Sequence, residues 1–187
     1  MIIQAMPYPN KPEPAFWVRQ VRVGANTGLG NQTISVPGLK WTPKAARFIT
    51  NEHVYGSASA EASVVAGSVG NTDGIRQNCI THRQSGTRSY TNQVAGITTF
   101  FAASFVSFGV GNCTINIGTN TAPGAYSITV LFFGGTALSA KTDVITLATQ
   151  DNTVTPSLGF EMNAMFANAI TGAWPSTQTI GFQTEGM

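Results

Sequence analysis

NQTISVPGLKWTPKAARFITN, residues Asn31 to Asn51, is the stretch that decides how the chain is read, because a degraded copy follows at Asn152 to Asn168, NTVTPSLGFEMNAMFAN. Aligning Trp41 with Phe160 sets Ala45 opposite Ala164 and gives Gly38 a near-partner in Gly159. Each copy runs from a polar, β-branched segment through a glycine and an aromatic residue into an apolar segment. That is the pattern of a strand, a tight corner and a second strand. In the first copy Thr33–Val36 and Ala45–Ile49 are the expected strands, flanking a corner from Gly38 to Pro43.

Working outward, Phe16 to Val23 alternates loosely and is expected to form a first strand, with Trp17, Arg19, Val21 and Val23 on one side. Before it, Pro7, Pro9, Pro12 and Pro14 exclude a helix or a central strand, so residues 1–15 are expected to be an extended arm that either lies across a partner or stays unstructured. The glycine-rich run from Gly24 to Asn31 matches neither GxGxxG nor a P-loop, and no nucleotide site is expected there. Further strands are expected at Ala62–Ser68, Ile75–Thr81, Gly96–Val110, Thr114–Gly118, Tyr126–Phe132, Val144–Ala148 and Thr179–Phe182. A turn is expected over Gly70–Gly74, and a basic loop over His82–Arg88. The phenylalanines at 100, 101, 105 and 108 would also suit a helical stripe, but the surrounding Thr, Ser, Val and Ile favour a strand. About ten short strands without a convincing amphipathic helix predict an all-β chain. The expected form is a single β-sandwich with jelly-roll-like connections over residues 16–187.

The chain has 187 residues, enough for one well-buried core. Only 10% of them are charged, against about 25% in an ordinary globular domain, so the surface must be neutral and hydrogen-bonding. The formal net charge of +2 does not point to nucleic acid or to a membrane surface. Residues 1–90 carry nine Lys or Arg against four acids, and residues 91–187 carry one against four. Between Arg88 and Lys141 there is no charged residue and no histidine. Burial of both faces, or of one face plus a subunit contact, would account for such a gap. The N-terminal residues lack the form of a signal peptide, and no apolar run is long enough for a membrane helix, so synthesis in a reducing cytosol is expected. The sequons at Asn31 and Asn112 are accordingly expected to stay unmodified.

The search for chemistry finds no constellation. Two cysteines, Cys79 and Cys113, lack metal or redox spacing and are expected to be buried thiols, with a single bridge between them as the alternative. His53 and His82 stand outside any ligand or general-base pattern. The acids Glu13, Glu52, Glu61, Asp73, Asp143, Asp151, Glu161 and Glu185 could be paired only by the fold, which keeps a polysaccharide-degrading enzyme as an alternative. Trp174, ahead of Pro175, is the candidate exposed aromatic contact, and a host-glycan-binding adhesin is the other alternative. No catalytic residue, metal or cofactor is expected.

The order of these elements resembles a β-rich module of tailed-bacteriophage virion structural proteins, in which a Gly-[Phe/Leu]-x-Pro-x-Ala-x-x-Phe segment occurs twice around a Tyr-to-Gly-Gly strand. Here the segments are Gly38-Leu39-Lys40-Trp41-Thr42-Pro43-Lys44-Ala45-Ala46-Arg47-Phe48 and Leu158 to Phe166, with Met162 in place of the proline, and the strand is Tyr126 to Gly135. The likeness spans about residues 30–187. It implies a virion protein of the capsid-decoration, fibre or tail type, made in the host cytoplasm and forming a homo-oligomer against capsid or tail proteins of the same particle. The expected assembly contacts are Pro7, Pro9, Pro12 and Pro14 of the arm with Trp17, Arg19 and Arg22 of the first strand. The resemblance also implies that a final strand after Gly181-Phe182 is missing, supplied by a neighbour, or part of a longer polypeptide.

Overall fold

The computed structural model describes residues 15–23, 28–51, 66–83, 88–97, 100–121, 126–135, 138–144, 159–160, 165–169 and 179–183. These residues form strands and connections with no helix, so no helix is long and apolar enough to cross a membrane. With strands numbered in chain order, a six-stranded sheet runs β1 (Ala15–Val23), β10 (Tyr126–Gly134), β3 (Ala45–Asn51), β4 (Ala66–Thr72), β5 (Gln77–Arg83), β6 (Arg88–Thr91). A four-stranded sheet runs β2 (Gly30–Ser35), β9 (Asn112–Asn120), β8 (Phe101–Gly109), β7 (Ala95–Ile97). A separate ribbon pairs β11 (Met165–Ala169) with β12 (Thr179–Gln183). Every pairing is antiparallel.

The two large sheets form a β-sandwich, and strand alternation decides what lies between them. Phe48, Ile128, Val130 and Phe132 of the large sheet bury themselves against Phe101, Ala103, Cys113, Ile115 and Ile117 of the small one. Removing such side chains from water is the main favourable term in folding, roughly 1.5–3 kcal/mol for each large apolar residue. β1 pairs with β10 in the large sheet and β2 pairs with β9 in the small one, so β1 and β2 are consecutive in the chain but lie in different sheets. β3 to β6 instead run as a meander within one sheet.

The crossing from β2 to β3 is the doubled corner. Val36-Pro37-Gly38-Leu39 has proline at the second position, Gly38 with φ of 85°, and the Leu39 N–H donating to the Val36 carbonyl at 3.1 Å. These are the marks of a type II turn. The Val36 N–H donates to the Gly111 carbonyl at 2.8 Å, and the Gly111 N–H donates to the Trp41 carbonyl at 3.1 Å, tying the corner to the β8–β9 hairpin. On the other side the Lys44 N–H donates to the Phe133 carbonyl at 2.8 Å. The Trp41 ring packs where Gly134 leaves room, and a Cβ on Gly134 would strike it. In the second copy, Gly159 (φ 78°) precedes β11 much as Gly38 precedes β3. Phe160 is exposed, however, whereas Trp41 packs against the core.

Several expected boundaries move. Ala15 belongs to β1 and not to the arm. β4 starts at Ala66 and continues through Gly70, Asn71 and Thr72, so the turn falls two to three residues later, at Asp73 to Arg76. Asp73 fixes it there: its Oδ1 accepts the N–H groups of Ile75 (3.0 Å) and Arg76 (2.6 Å). Ile75 is therefore turn and almost fully exposed rather than strand. His82 and Arg83 end β5 and Arg88 opens β6, so the two ends of the expected basic loop are strand, while residues 84–87 lie outside the described residues. The run Gly96–Val110 divides into β7 and β8 with a turn at Val110. Val144 lies outside any strand. Residues 62–65 and 145–148, like the arm's 1–14, lie outside the described residues.

The helix-like spacing of Phe105 and Phe108 has a cause in the pairing. A bulge at Val106 breaks the register between Phe105 (opposite Ile115) and Ser107 (opposite Thr114), returning Phe108 to the core side opposite Cys113. An extra residue in one strand shifts the alternation by one, so two positions three apart share a face.

The bend before β7 presses on the large sheet at Gly70, in mid-strand on β4, where a Cβ would overlap the Val94 backbone. A rigid main chain cannot yield as a side chain would. Gly70→Ala is expected to cost about 3 kcal/mol, lowering the melting midpoint by about 6–12 °C. Gly118→Ala, where nothing lies within 4 Å, is expected to leave it within about 2 °C. Differential scanning calorimetry of the two variants checks this, and equal midpoints would contradict the close approach.

Candidate functional site

After β10 the chain crosses the end of the large sheet as a strap, residues 138–144, held by main-chain and side-chain bonds. Lys44 Nζ donates to the Leu138 carbonyl at 2.8 Å, the Thr142 N–H donates to Asp73 Oδ2 at 2.8 Å, and Asn78 Nδ2 donates to the Asp143 carbonyl at 3.2 Å. Behind Asn78 the row continues across adjacent strands: Asn71 Nδ2 donates to Asn78 Oδ1 (3.3 Å), and Arg47 Nη1 donates to Asn71 Oδ1 (3.3 Å). Arg47, Asn71 and Asn78 face one another in register on β3, β4 and β5. Arg47 is 4% exposed, and its burial lowers its pKa from the ordinary arginine value.

Between strap and turn lies an open polar groove of about 310 Å³, lined by Ile75, Arg76, Gln77, Asn78, Asn92, Thr142, Asp143 and Val144. Arg76 Nη1 lies 3.2 Å and Lys141 Nζ 3.4 Å from Asp143 Oδ2. The Val144 N–H, the Lys141 ammonium and the charge of Arg76 hold the Asp143 carboxyl below its usual range. Asp73 and Asp143, far apart in sequence, are thus brought to one place. Both take part in holding strap to turn. A paired-acid hydrolase needs one carboxyl that keeps its proton near neutrality. Asp143 is shifted the other way, and Asp73 spends both oxygens on three main-chain N–H groups. The Asp73-Gly74 turn was legible in sequence, whereas nothing local marked Asp143 as its neighbour.

The outer face of the small sheet is neutral. Asn31, Thr33 and Ser35 stand opposite Asn116, Thr114 and Asn112, which in turn stand opposite Ser104, Ser107 and Gly109. Asn116 Nδ2 donates to Asn31 Oδ1 at 2.8 Å, and the Thr33 and Thr114 hydroxyls lie 3.4 Å apart. This lattice of amides and hydroxyls occupies part of the charge-free middle of the chain.

Of the expected contact residues, Trp17, Arg19 and Arg22 lie on β1, an edge of the large sheet, in register with Phe132, Val130 and Ser127 of β10. Pro7, Pro9, Pro12, Pro14 and Trp174 lie outside the described residues, as does His53. His82 sits on β5 between Gly67 and Arg88. Among the described residues no three His, Cys, Asp or Glu side chains gather as metal ligands.

Neither a protein-family model nor a curated protein sequence matches the chain. Among solved structures it is similar to the tailspike protein of Acinetobacter phage vB_ApiP_P1, at 12% identity and a TM-score of 0.32 over 72% of this chain. The chain spans 24% of that tailspike's length. At this level the likeness bears on neither fold nor mechanism.

Cys79 and Cys113 are both buried and unpaired, on β5 and β9. Burial pushes the Cys79 thiol up to about 11, opposed in part by hydrogen bonds from Ser68 and Thr91, and pushes Cys113 up to about 12. A raised folded-state pKa favours the protonated native form, so the stability it contributes is complete below pH 9 and is lost as pH rises through 11 to 12. Near neutral pH neither thiol is expected to react with a disulfide reagent until the protein is denatured. Rapid modification of the native protein would contradict this.

Proposed function

We propose that the chain is a structural protein of a bacteriophage virion, a capsid-decoration, fibre or tail component that works by protein-protein contact and not by catalysis. The observation that carries the reading is how its described chemistry is spent. Asp73, Arg76, Lys141 and Asp143 hold a strap against the end of a sheet. Elsewhere the described surface shows apolar and neutral side chains: Ile75 at 93% exposure, Val110 at 68%, Val144 at 51%, and the Asn, Thr and Ser face of the small sheet. Exposed apolar side chains beside neutral hydrogen-bonding ones suit a surface meant to be covered.

The resemblance of Gly38–Phe48, Tyr126–Gly135 and Leu158–Phe166 to the virion module supports the same reading. A stiff two-sheet body presents such surfaces in a fixed relation to one another, as repeated placement on a particle requires. Partners would be capsid or tail proteins of the same particle.

Mass spectrometry of density-purified particles, from cells carrying the genome that encodes the chain, tests the proposal. The chain is expected among the particle proteins in multiple copies. Its presence in the lysate but absence from purified particles would overturn the reading.

A further inference from the structure

Each of the two large sheets has two edges, and an edge strand exposes unpaired main-chain groups that proteins ordinarily blunt with charge, proline, a bulge or brevity. Three of the four edges are blunted in this way. β1 carries Arg19 and Arg22, and β6 has four residues and begins with Arg88. β7 has three residues and is tied to the opposite sheet, its Gly96 N–H donating to Ser68 Oγ at 3.0 Å. The fourth edge, β2, has six residues, Gly-Asn-Gln-Thr-Ile-Ser, with no charge, no proline and no break in its register with β9. Among the described residues it pairs with β9 alone.

We propose that β2 is an assembly edge that pairs antiparallel with β2 of a second copy of this chain, joining two small sheets into one continuous eight-stranded sheet across a two-fold axis at Thr33. The strand is self-complementary in this register. Centring on Thr33 sets Thr33 against its own copy, Asn31 against Ser35, and Gln32 against Ile34, so the outward and inward faces of both strands coincide. Threonine facing threonine is a favourable cross-strand pair. The row Ser107, Thr114, Thr33 then continues into Thr33, Thr114, Ser107 of the copy, and the neutral lattice doubles without bringing like charges together. An unrelated extended peptide would satisfy the same main-chain groups, but it would not need a strand that matches itself.

The inference rests on reading the chain as a body that works by contact, and the two fail separately. A chain found in particles but monomeric in solution ends this inference and leaves that reading. A dimer missing from particles does the reverse.

The test is light scattering with size-exclusion chromatography on the wild-type chain, Thr33→Lys and Thr33→Cys. Wild type is expected at twice the 19.7 kDa chain mass. Thr33→Lys sets like charges directly opposite and is expected at the single-chain mass with an unchanged circular dichroism spectrum. Directly opposed strand residues lie about 4.5–5.5 Å apart at Cα, within disulfide reach. Thr33→Cys is therefore expected to cross-link into dimers on mild oxidation, while Val106→Cys, exposed on the bulge two strands away, does not. A wild type at single-chain mass, a Thr33→Lys dimer, or unlinked Thr33→Cys chains would each overturn the proposal.

Discussion

The structure depends on one bolt, the passage of the chain from the small sheet to the large one between Val36 and Lys44. Two sheets with a core between them can still slide or splay unless something fixes their relative position. Here the corner gives hydrogen bonds in both directions, to Gly111 at the tip of the β8–β9 hairpin and to Phe133 at the end of β10. Both neighbours depend on glycine. Gly111 adopts a φ of 68° in the hairpin, and a side chain there would meet the Leu39 carbonyl. Gly134 leaves the space that the Trp41 ring fills. The aromatic residue of the corner is thus packed, half-buried, against the core.

The all-β architecture was legible because alternation survives in β9, Asn-Cys-Thr-Ile-Asn-Ile, and at the start of β10, Tyr-Ser-Ile-Thr-Val. The corner was legible from Gly38 and its aromatic neighbour. Less visible were features set by the partner strand. Gly70 looked like part of a turn because it stands beside Asn71 and Asp73, yet it is a strand residue that lets the main chain of Val94 approach. The Val106 bulge is written only in the pairing with β9, so the phenylalanine spacing suggested two periodicities at once.

The groove was hidden for the same reason on a longer scale. Asp73 and Asp143 meet because the strap returns over the turn, and no local pattern encodes that return. Once they meet, Asp73 accepts three main-chain N–H groups, and the Val144 N–H with the cations Lys141 and Arg76 favours the ionised form of Asp143. The cysteines were read as buried thiols from their number and spacing alone, and the core of the sandwich holds them so. Among the described residues charge lies mostly in the corner, the turn, the strap, β1 and the ends of β5 and β6, with Arg47 buried on β3 as the exception, and the outer lattice of the small sheet is left to amides and hydroxyls.

A rigid body bolted at its crossing is the central claim, and native-state hydrogen exchange measured residue by residue tests it most directly. The amides of Val36, Lys44 and Gly111 are expected to exchange only through global unfolding, with the same free energy and denaturant dependence as the amides of Phe48 and Val130 in the core strands. Exchange at the corner through a low-energy local opening, while the core strands stay protected, would show two sheets loosely joined and would contradict the account.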